Sequence, residues 1–356
     1  MEHSLDLTYH WAGFSALAVF VIAYAFVMAE EFTHLRKSKP VVLAAGLIWG
    51  MIAIAYSNTP HYEMVEHEIR HSFLEYTELA FFLLVAMTYI NALEERNVFN
   101  SLKSWLIKNQ FSYRQLFWIT GVLAFFLSPL ADNLTTALVL CAVVVAVGSS
   151  SPKFVGLACV NIVVAANAGG AFSPFGDITT LMVWQAGQLD FLQFFALVIP
   201  SVVNYIIPAS IMHFFVSDHK PDVAETSVTI KYGGKTIILL GLLTIVTAVS
   251  FHNFLHLPPV FGMMTGLAYL QLYSFYIKIN VRDIEEQKYD FFENVARVEW
   301  DTLFFFFGVI LSVGGLGFIG YLEYVSEFMY TDLGATTANV LGGILSAIVD
   351  NIPVMF

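Results

Sequence analysis

The sequence predicts an all-α, polytopic membrane protein, and three observations carry that prediction. Of 356 residues, 58% are hydrophobic and only 12% charged, about half of the ~25% charged residues usual in soluble domains. Apolar runs of bilayer-crossing length, about 20 residues, recur along the chain. Three of these runs are interrupted by Pro, Gly and acidic residues. Unwound backbone at membrane depth is tolerated only where protein buries it or where it lines a cavity, so the interruptions are also the leading candidates for a site.

Taken in order, the uninterrupted spans are 12–29, 40–57, 72–92, 191–216, 236–252, 258–279 and 300–321. The first lacks the basic flank of a signal peptide and is longer than a typical signal core, so it is expected to be a retained span. The interrupted runs are 115–148, broken by SPLADN, 153–185, broken by NAGGAFSPFGD, and 334–356, broken by DNIP. Pro129, Pro174 and Pro353 remove backbone donors, and Gly169, Gly170 and Gly176 permit non-helical turns. Polar connections fall near 58–71, 217–235 and 280–299. Cys141 and Cys159 lie within apolar segments and are expected to be small core residues. A net charge of −12 argues against a nucleic-acid partner.

Charge sets the topology. With 115–148 as a re-entrant hairpin and 153–185 as a full crossing, fifteen of the sixteen Lys and Arg residues, all but Arg70, share one side. The positive-inside rule makes that side cytoplasmic. The opposite loop, 58–71, carries Glu63, Glu66, Glu68, His61, His67 and His71. Under this arrangement TELAFFLL (77–84) and WDTLFFFF (300–307), which align Glu78 with Asp301, cross in opposite directions. Each precedes a broken segment with an Asp-Asn pair, Asp132-Asn133 and Asp350-Asn351. The pattern is an inverted-topology repeat, the plan of many secondary transporters, with the site where broken helices meet near the midplane. The organisation expected is scaffold spans and an outer loop over 1–71, a first repeat over 72–216, connecting spans and cytoplasmic loops over 217–299, and the start of a second repeat over 300–356. Only five residues follow Asn351, so the second repeat is expected to be truncated and the chain to be a fragment of a longer one.

The broken segments are rich in hard oxygen ligands. The first supplies Ser128, Asp132, Asn133, Thr135 and Thr136; the second supplies Asn161, Asn167, Ser173, Asp177, Thr179 and Thr180. Carboxylates among neutral oxygens at the tips of half-helices favour a cation. Two carboxylates close together in a poorly solvated cavity cannot both ionise cheaply, so a proton and a metal cation would compete for the same oxygens. Competition at one alternately exposed site is sufficient for antiport. Structural readings stand beside these: Asn133, Thr135 and Thr136 as partners for freed backbone groups, and Asp177 as the N-cap of ITTLMVW. His71, Glu75 and Glu78 share one helical face, with His71 a candidate pH sensor or part of a solvated helix start. Glu78 and Asp301 read equally as a proton relay or a structural pair. His213 reads as a satisfied interior histidine, and His252 with His256 lack a third ligand for a metal site. No GxSxG, HExxH or P-loop occurs, and no Tyr-Asp with Gly-Xaa-Gly-Asp pair sits on the spans, so hydrolase, ATPase and intramembrane aspartyl protease chemistry is not expected.

The segments SPLADNLTTALVL, NIVVAANAGGAFSPFGDITTLMVWQAG and SAIVDNIPVMF resemble the NhaD family of bacterial sodium/proton antiporters, within the ion transporter superfamily. The resemblance implies exchange of Na⁺, often also Li⁺, for H⁺ across the bacterial cytoplasmic (inner) membrane, without a cofactor and in the service of pH homeostasis and sodium tolerance. It implies ion-site roles for Asp132, Asn133, Asn167, Asp177, Thr179, Thr180, Asp350 and Asn351. The lipid bilayer is the remaining partner, and scaffold spans outside the repeats leave a face for a homodimer. The rival reading is an anion transporter of the same superfamily, for arsenite or dicarboxylates. Half-helix N-termini suit anions, but carboxylates at both tips would repel them, and dicarboxylate carriers tend to show Ser-Asn-Thr where this chain has Ala-Asp-Asn and Val-Asp-Asn.

Overall fold

The computed structural model describes residues 5–109, 111–148, 151–220, 228–280 and 289–348. Among the described residues the chain is helical throughout, without a strand, and nine helices are long and apolar enough to cross a membrane. The chain is a multi-pass membrane protein. It divides into two compact units, 1–80 with 299–356 and 81–298.

The first unit contains α1 (Trp11–Met28), α2 (Glu30–Thr33), α3 (Ser38–Tyr56), the first half of α4 (Tyr62–Glu95) and, from the end of the chain, α14 (Trp300–Phe318), α15 (Tyr321–Glu327), a π turn (Phe328–Asp332) and α16 (Ala335–Ile348). Its central element is α14, 61% of whose apolar stretch is buried. Small residues explain the closeness: Gly308 lies against the Val41 backbone and Gly315 against Ile48, Trp49 and Ile52 of α3. Trp49 Nε1 donates to Leu311 O (2.8 Å), and the Ser38 hydroxyl donates to Asp301 Oδ1 (2.5 Å). Phe73 and Tyr76 of α4 meet Phe307 edge-on.

The polar stretch 58–71, expected as a loop, is helical from Tyr62 onward, so α4 runs for 34 residues. The sequence after Pro60 contains no Gly or Pro before the apolar run begins. Its charges pair along the helix, Arg70 with Glu66 at 2.7 Å and His71 with Glu75 at 3.7 Å, which supports helix without burial. Polarity marked where the apolar span ends, not where the helix ends.

The second unit carries the broken segments. After α4 the backbone turns through Asn97 in the left-handed region (φ 58°) into α5 (Val98–Lys108). There follow α6 (Tyr113–Ala131), α7 (Asn133–Val147), α8 (Pro152–Gly170), α9 (Ile178–Gln185), a 3₁₀ turn (Phe191–Leu197) leading into α10 (Val198–His213), α11 (Gly234–Leu255), α12 (Pro259–Asn280) and α13 (Phe291–Ala296). The core is the layer between α6 and α8. Phe117, Ala124 and Phe125 of α6 meet Ala158, Ile162, Ala165 and Ala166 of α8, and the alanines let the two backbones approach. A Ser112–Gln115 capping box starts α6. The hairpin of α11 and α12 is closed by Gly262 against Ala248, and Tyr89 of α4 bridges it, accepting from Thr244 Oγ1 of α11 (2.9 Å) and donating to Gly266 O of α12 (2.7 Å).

Arg96, fully buried at the end of α4, lies 2.7 Å from Glu95 Oε1 with its guanidinium over the Tyr289 ring. Asn294 of α13 donates to Glu95 Oε2 (2.6 Å), so the segment before α14 is fastened to the end of α4. Burial, with Glu95 beside it, holds the Tyr289 hydroxyl above its ordinary value.

Candidate functional site: the crossing of two broken segments

Two of the three expected breaks are present, and the third, at DNIP, lies outside the described residues. The first separates α6 from α7 at Asp132, and the second separates α8 from α9 over 171–177. The two breaks touch, and their loose backbone groups satisfy one another. Pro129 inside α6 has no N–H for the carbonyl of Phe125, and Gly169 of α8 lies against that carbonyl, where a Cβ would collide. The Pro129 carbonyl accepts from Ser173 Oγ (2.9 Å). Asn133 N, one of the donors orphaned at the start of α7, donates to Gly176 O (3.0 Å). Gly170 is pressed against the Asn133 side chain and Gly176. These glycines serve close approach as well as turning.

The side chains form a second layer of connections. Asn133 is the hub: its Oδ1 accepts from Ser128 Oγ (2.6 Å), and its Nδ2 donates to Asp177 Oδ2 (2.7 Å) and lies 3.3 Å from Asn167 Oδ1. Asp177 Oδ1 accepts from Thr179 N and Thr179 Oγ1, both at 3.1 Å, so Asp177 is the N-cap of α9 and a partner of Asn133 at once. Thr180 Oγ1 donates to the carbonyls of Ser173 (2.9 Å) and Asp177 (2.8 Å), a structural role. Asp132 caps α7: its Oδ1 accepts from Thr135 N (2.8 Å) and its Oδ2 from Thr135 Oγ1 (2.9 Å). Asp132 itself sits at φ 55°, ψ 160°, a region that is essentially glycine-only and costs about 1–3 kcal/mol for other residues.

Two helix C-termini and two carboxylate-capped N-termini thus converge on one point. Ser128 is buried, while Asp132, Asn133 and Asp177 are partly exposed and Asn167 is exposed. The arrangement offers carboxylate, amide and hydroxyl oxygens with open access, a donor set suited to a hard cation.

Of the sequence-predicted residues, Ser128, Asn133, Asn167, Asp177, Thr179 and Thr180 gather here, and Asp132 with Thr135 forms the adjoining cap. Thr136 is buried. Asn161 is buried lower on α8 and donates to Phe117 O (2.8 Å). Asp350 and Asn351 lie outside the described residues. Asp301 bonds Ser38, His71 pairs with Glu75 on an exposed helix face, and Glu78 is half-buried on α4. His213 accepts from Trp118 Nε1 (3.0 Å), as an interior histidine would. The Ser173–Pro129 bond and the glycine contacts are what sequence reasoning left unassigned; a Pro and two Gly at matching depth in successive broken segments were the available signal.

Nine membrane-length helices among the described residues, with a polar crossing of two interrupted ones, define a polytopic helical membrane protein. A family model described as "Citrate transporter" matches residues 11–356. The chain is 53% identical to the Na⁺/H⁺ antiporter NhaD of Vibrio cholerae over 99% of its length and 78% of that protein. It is 52% identical to the protein of the same name from Alkalimonas amylolytica, over 99% of the chain and 77% of that protein. A more distant relative, sodium/proton antiporter 1 of Arabidopsis thaliana, is 30% identical over 95% of the chain and 58% of that protein. The chain belongs to the NhaD-type sodium/proton antiporter family. These relatives are named as transporters, not enzymes.

Proposed function

We propose that the protein is a secondary transporter of the bacterial cytoplasmic membrane that exchanges Na⁺, and also Li⁺, for H⁺ by alternating access. The observation that carries this reading is the hydrogen bond from Asn133 Nδ2 to Asp177 Oδ2 at 2.7 Å. It puts a carboxylate among neutral oxygens where two broken segments cross. A cation entering there replaces the amide donor and takes oxygen ligands from Asp177, Asn133, Asn167, Ser128 and Thr179, with Asp132 and Thr135 from the adjoining cap. A proton on the same carboxylate removes the charge that holds the cation, so the two exclude each other. In this reading Asp350 and Asn351, outside the described residues, are the ion-site residues of a second, inverted repeat that begins at 300, as 72–216 with its hairpin (115–148) and broken crossing (153–185) is the first. Glu78 is the proton-relay candidate of this reading. The basic loops face the cytoplasm, and the scaffold spans 1–71 provide a homodimer face.

The name of the matching family model favours a second reading, transport of a carboxylate anion. Two carboxylate-capped helix N-termini at the crossing oppose it, because the dipole ends that would attract an anion are already neutralised. Fluorescence-reported proton movement in everted vesicles separates the readings. Added Na⁺ or Li⁺, but not K⁺, is expected to release the imposed proton gradient at neutral to alkaline pH. If citrate or arsenite moves instead, with no response to Na⁺ or Li⁺, the antiport reading is overturned.

A further inference from the structure

The antiparallel hairpin of α7 and α8 holds a pair of thiols that the ion site does not use. The turn between the helices is closed by Ser151 N donating to Gly148 O (2.8 Å). Gly148 packs against Phe154 and Val155, so the two helices leave the turn in contact. Cys141 lies nine positions before residue 150 and Cys159 nine positions after it. That matched register sets them at the same level of the two packed helices, where each thiol is a neighbour of the other. Both are unoxidised and partly exposed, and both pack against the same apolar layer. They are the two cysteines of the sequence.

The placement matters because of what each helix carries. Helix α7 begins at Asp132-Asn133 and α8 carries Asn167 near its end. Cys141 is nine residues beyond Asp132, and Cys159 is eight before Asn167, roughly 12–14 Å in each case at 1.5 Å per residue. A covalent bond at this level fixes the sliding and rotation of α7 against α8, and with it the separation of Asn133 from Asn167.

We propose that Cys141 and Cys159 form a redox-sensitive clasp: oxidised to a disulfide, they lock the first broken segment to the second and slow exchange. The inference about exchange rests on the antiport reading above; the formation of the disulfide does not. The oxidant is a small apolar disulfide that partitions into the bilayer. One cysteine thiol, losing its proton, attacks a reagent sulfur, forming a mixed disulfide and releasing the first reagent thiolate. The second cysteine then displaces the remaining reagent thiolate, closing the Cys141–Cys159 bond. The two protons leave with the two reagent thiols; the protein dithiol is oxidised and the reagent disulfide reduced.

The test treats the full protein in membrane vesicles with dipyridyl disulfide, removes the excess, and reads both peptide masses and sodium-dependent proton movement. The expected result is a cross-linked peptide pair containing Cys141 and Cys159, short of two hydrogens. With it, exchange should fall about fivefold or more, the low end of coupling carried by a locked two-state element. A reducing dithiol restores the rate. Cys141→Ser and Cys159→Ser keep the untreated rate and lose the sensitivity. Mixed disulfides on both cysteines without the internal link overturn the clasp, and so does an internal disulfide that leaves the rate unchanged. If the untreated protein shows no sodium-dependent exchange, the antiport reading fails, while the mass result still decides whether the disulfide forms.

Discussion

Asp132 and Asp177 cap the two helices that restart at the crossing, and the same residue type does different work in each. Asp177 has an ordinary extended backbone (φ −144°, ψ 148°) and divides its oxygens, Oδ1 to its own helix and Oδ2 to Asn133 of the other break. Asp132 directs both oxygens to Thr135 of its own helix and holds a backbone conformation that glycine alone adopts freely. A carboxylate that joins two segments responds to their separation, and a cation wedged between them competes directly for it. One that caps its own helix in a strained turn fixes where that helix begins. Under the antiport proposed above, the bond to Asn133 assigns Asp177 the role of exchanged ligand, with Asp132 holding the break open and adding negative potential beside it.

The comparison is broken most forcefully by removing the charges one at a time. Asp177→Asn keeps the size and part of the cap but loses the anionic ligand. Sodium-dependent proton movement in vesicles is expected to fall below detection, beyond the ~10- to 100-fold that outer partners of an ion site cost when removed. Asp132→Asn is expected to lower exchange by about tenfold, within that same range. If the order is reversed, the self-capping aspartate is the exchanged ligand and the roles assigned here must be swapped.

A stability measurement sharpens the same contrast. Asp132→Gly loses a cap, which costs only a few tenths of a kcal/mol when glycine replaces it, and relieves a backbone strain of about 1–3 kcal/mol. The variant is expected to melt higher than the parent in detergent by the equivalent of ~1 kcal/mol or more, while exchanging more slowly. Asp177→Gly, with no strain to relieve, is expected to melt lower. Equal shifts for the two glycine variants would show that the backbone of Asp132 stores no strain.

Much of this crossing was legible in the sequence, and the reasons for what was not are specific. Pro129, Gly169, Gly170 and Gly176 within apolar runs announce where the helices stop, because a missing donor or a missing Cβ acts locally. The polar oxygens of Ser128, Asn133, Asn167 and Asp177 could be gathered in advance, since a membrane tolerates them only together. Which carboxylate spans the gap could not be, because the Asn133–Asp177 bond joins residues 44 apart and depends on how two helices slide past each other. Local pattern failed differently at α4. Charged residues from Glu63 to Arg70 suggested a loop, yet the helix runs through them, with Arg70 paired to Glu66 at i,i+4. Arg96 read as one more basic loop residue and is fully buried, because its partners Glu95 and Tyr289 come from both ends of the second unit.

The finest distinction concerns the scaffold of the crossing. Ser173 touches neither aspartate through its hydroxyl; it donates to Pro129 O and accepts from Phe175 N (3.2 Å). Its hydroxyl therefore ties the loop of the second break to the last turn of α6, on the Asp132 side of the crossing. Ser173→Ala leaves the Pro129 carbonyl without that donor in a buried place, a loss of about 1 kcal/mol, and a small downward shift in melting is expected with little change in sodium affinity. Paired with Asp132→Gly, the two effects should fall short of additive, because both changes loosen the same turn. Paired with Asp177→Gly, they should add, since the cap of α9 stays fixed by Thr180 on the Ser173 carbonyl whether or not the serine hydroxyl is present. Coupling of Ser173 to Asp177 in place of Asp132 would mean that the two breaks respond as a single unit, and the division of labour between the aspartates would then lie in their charges alone.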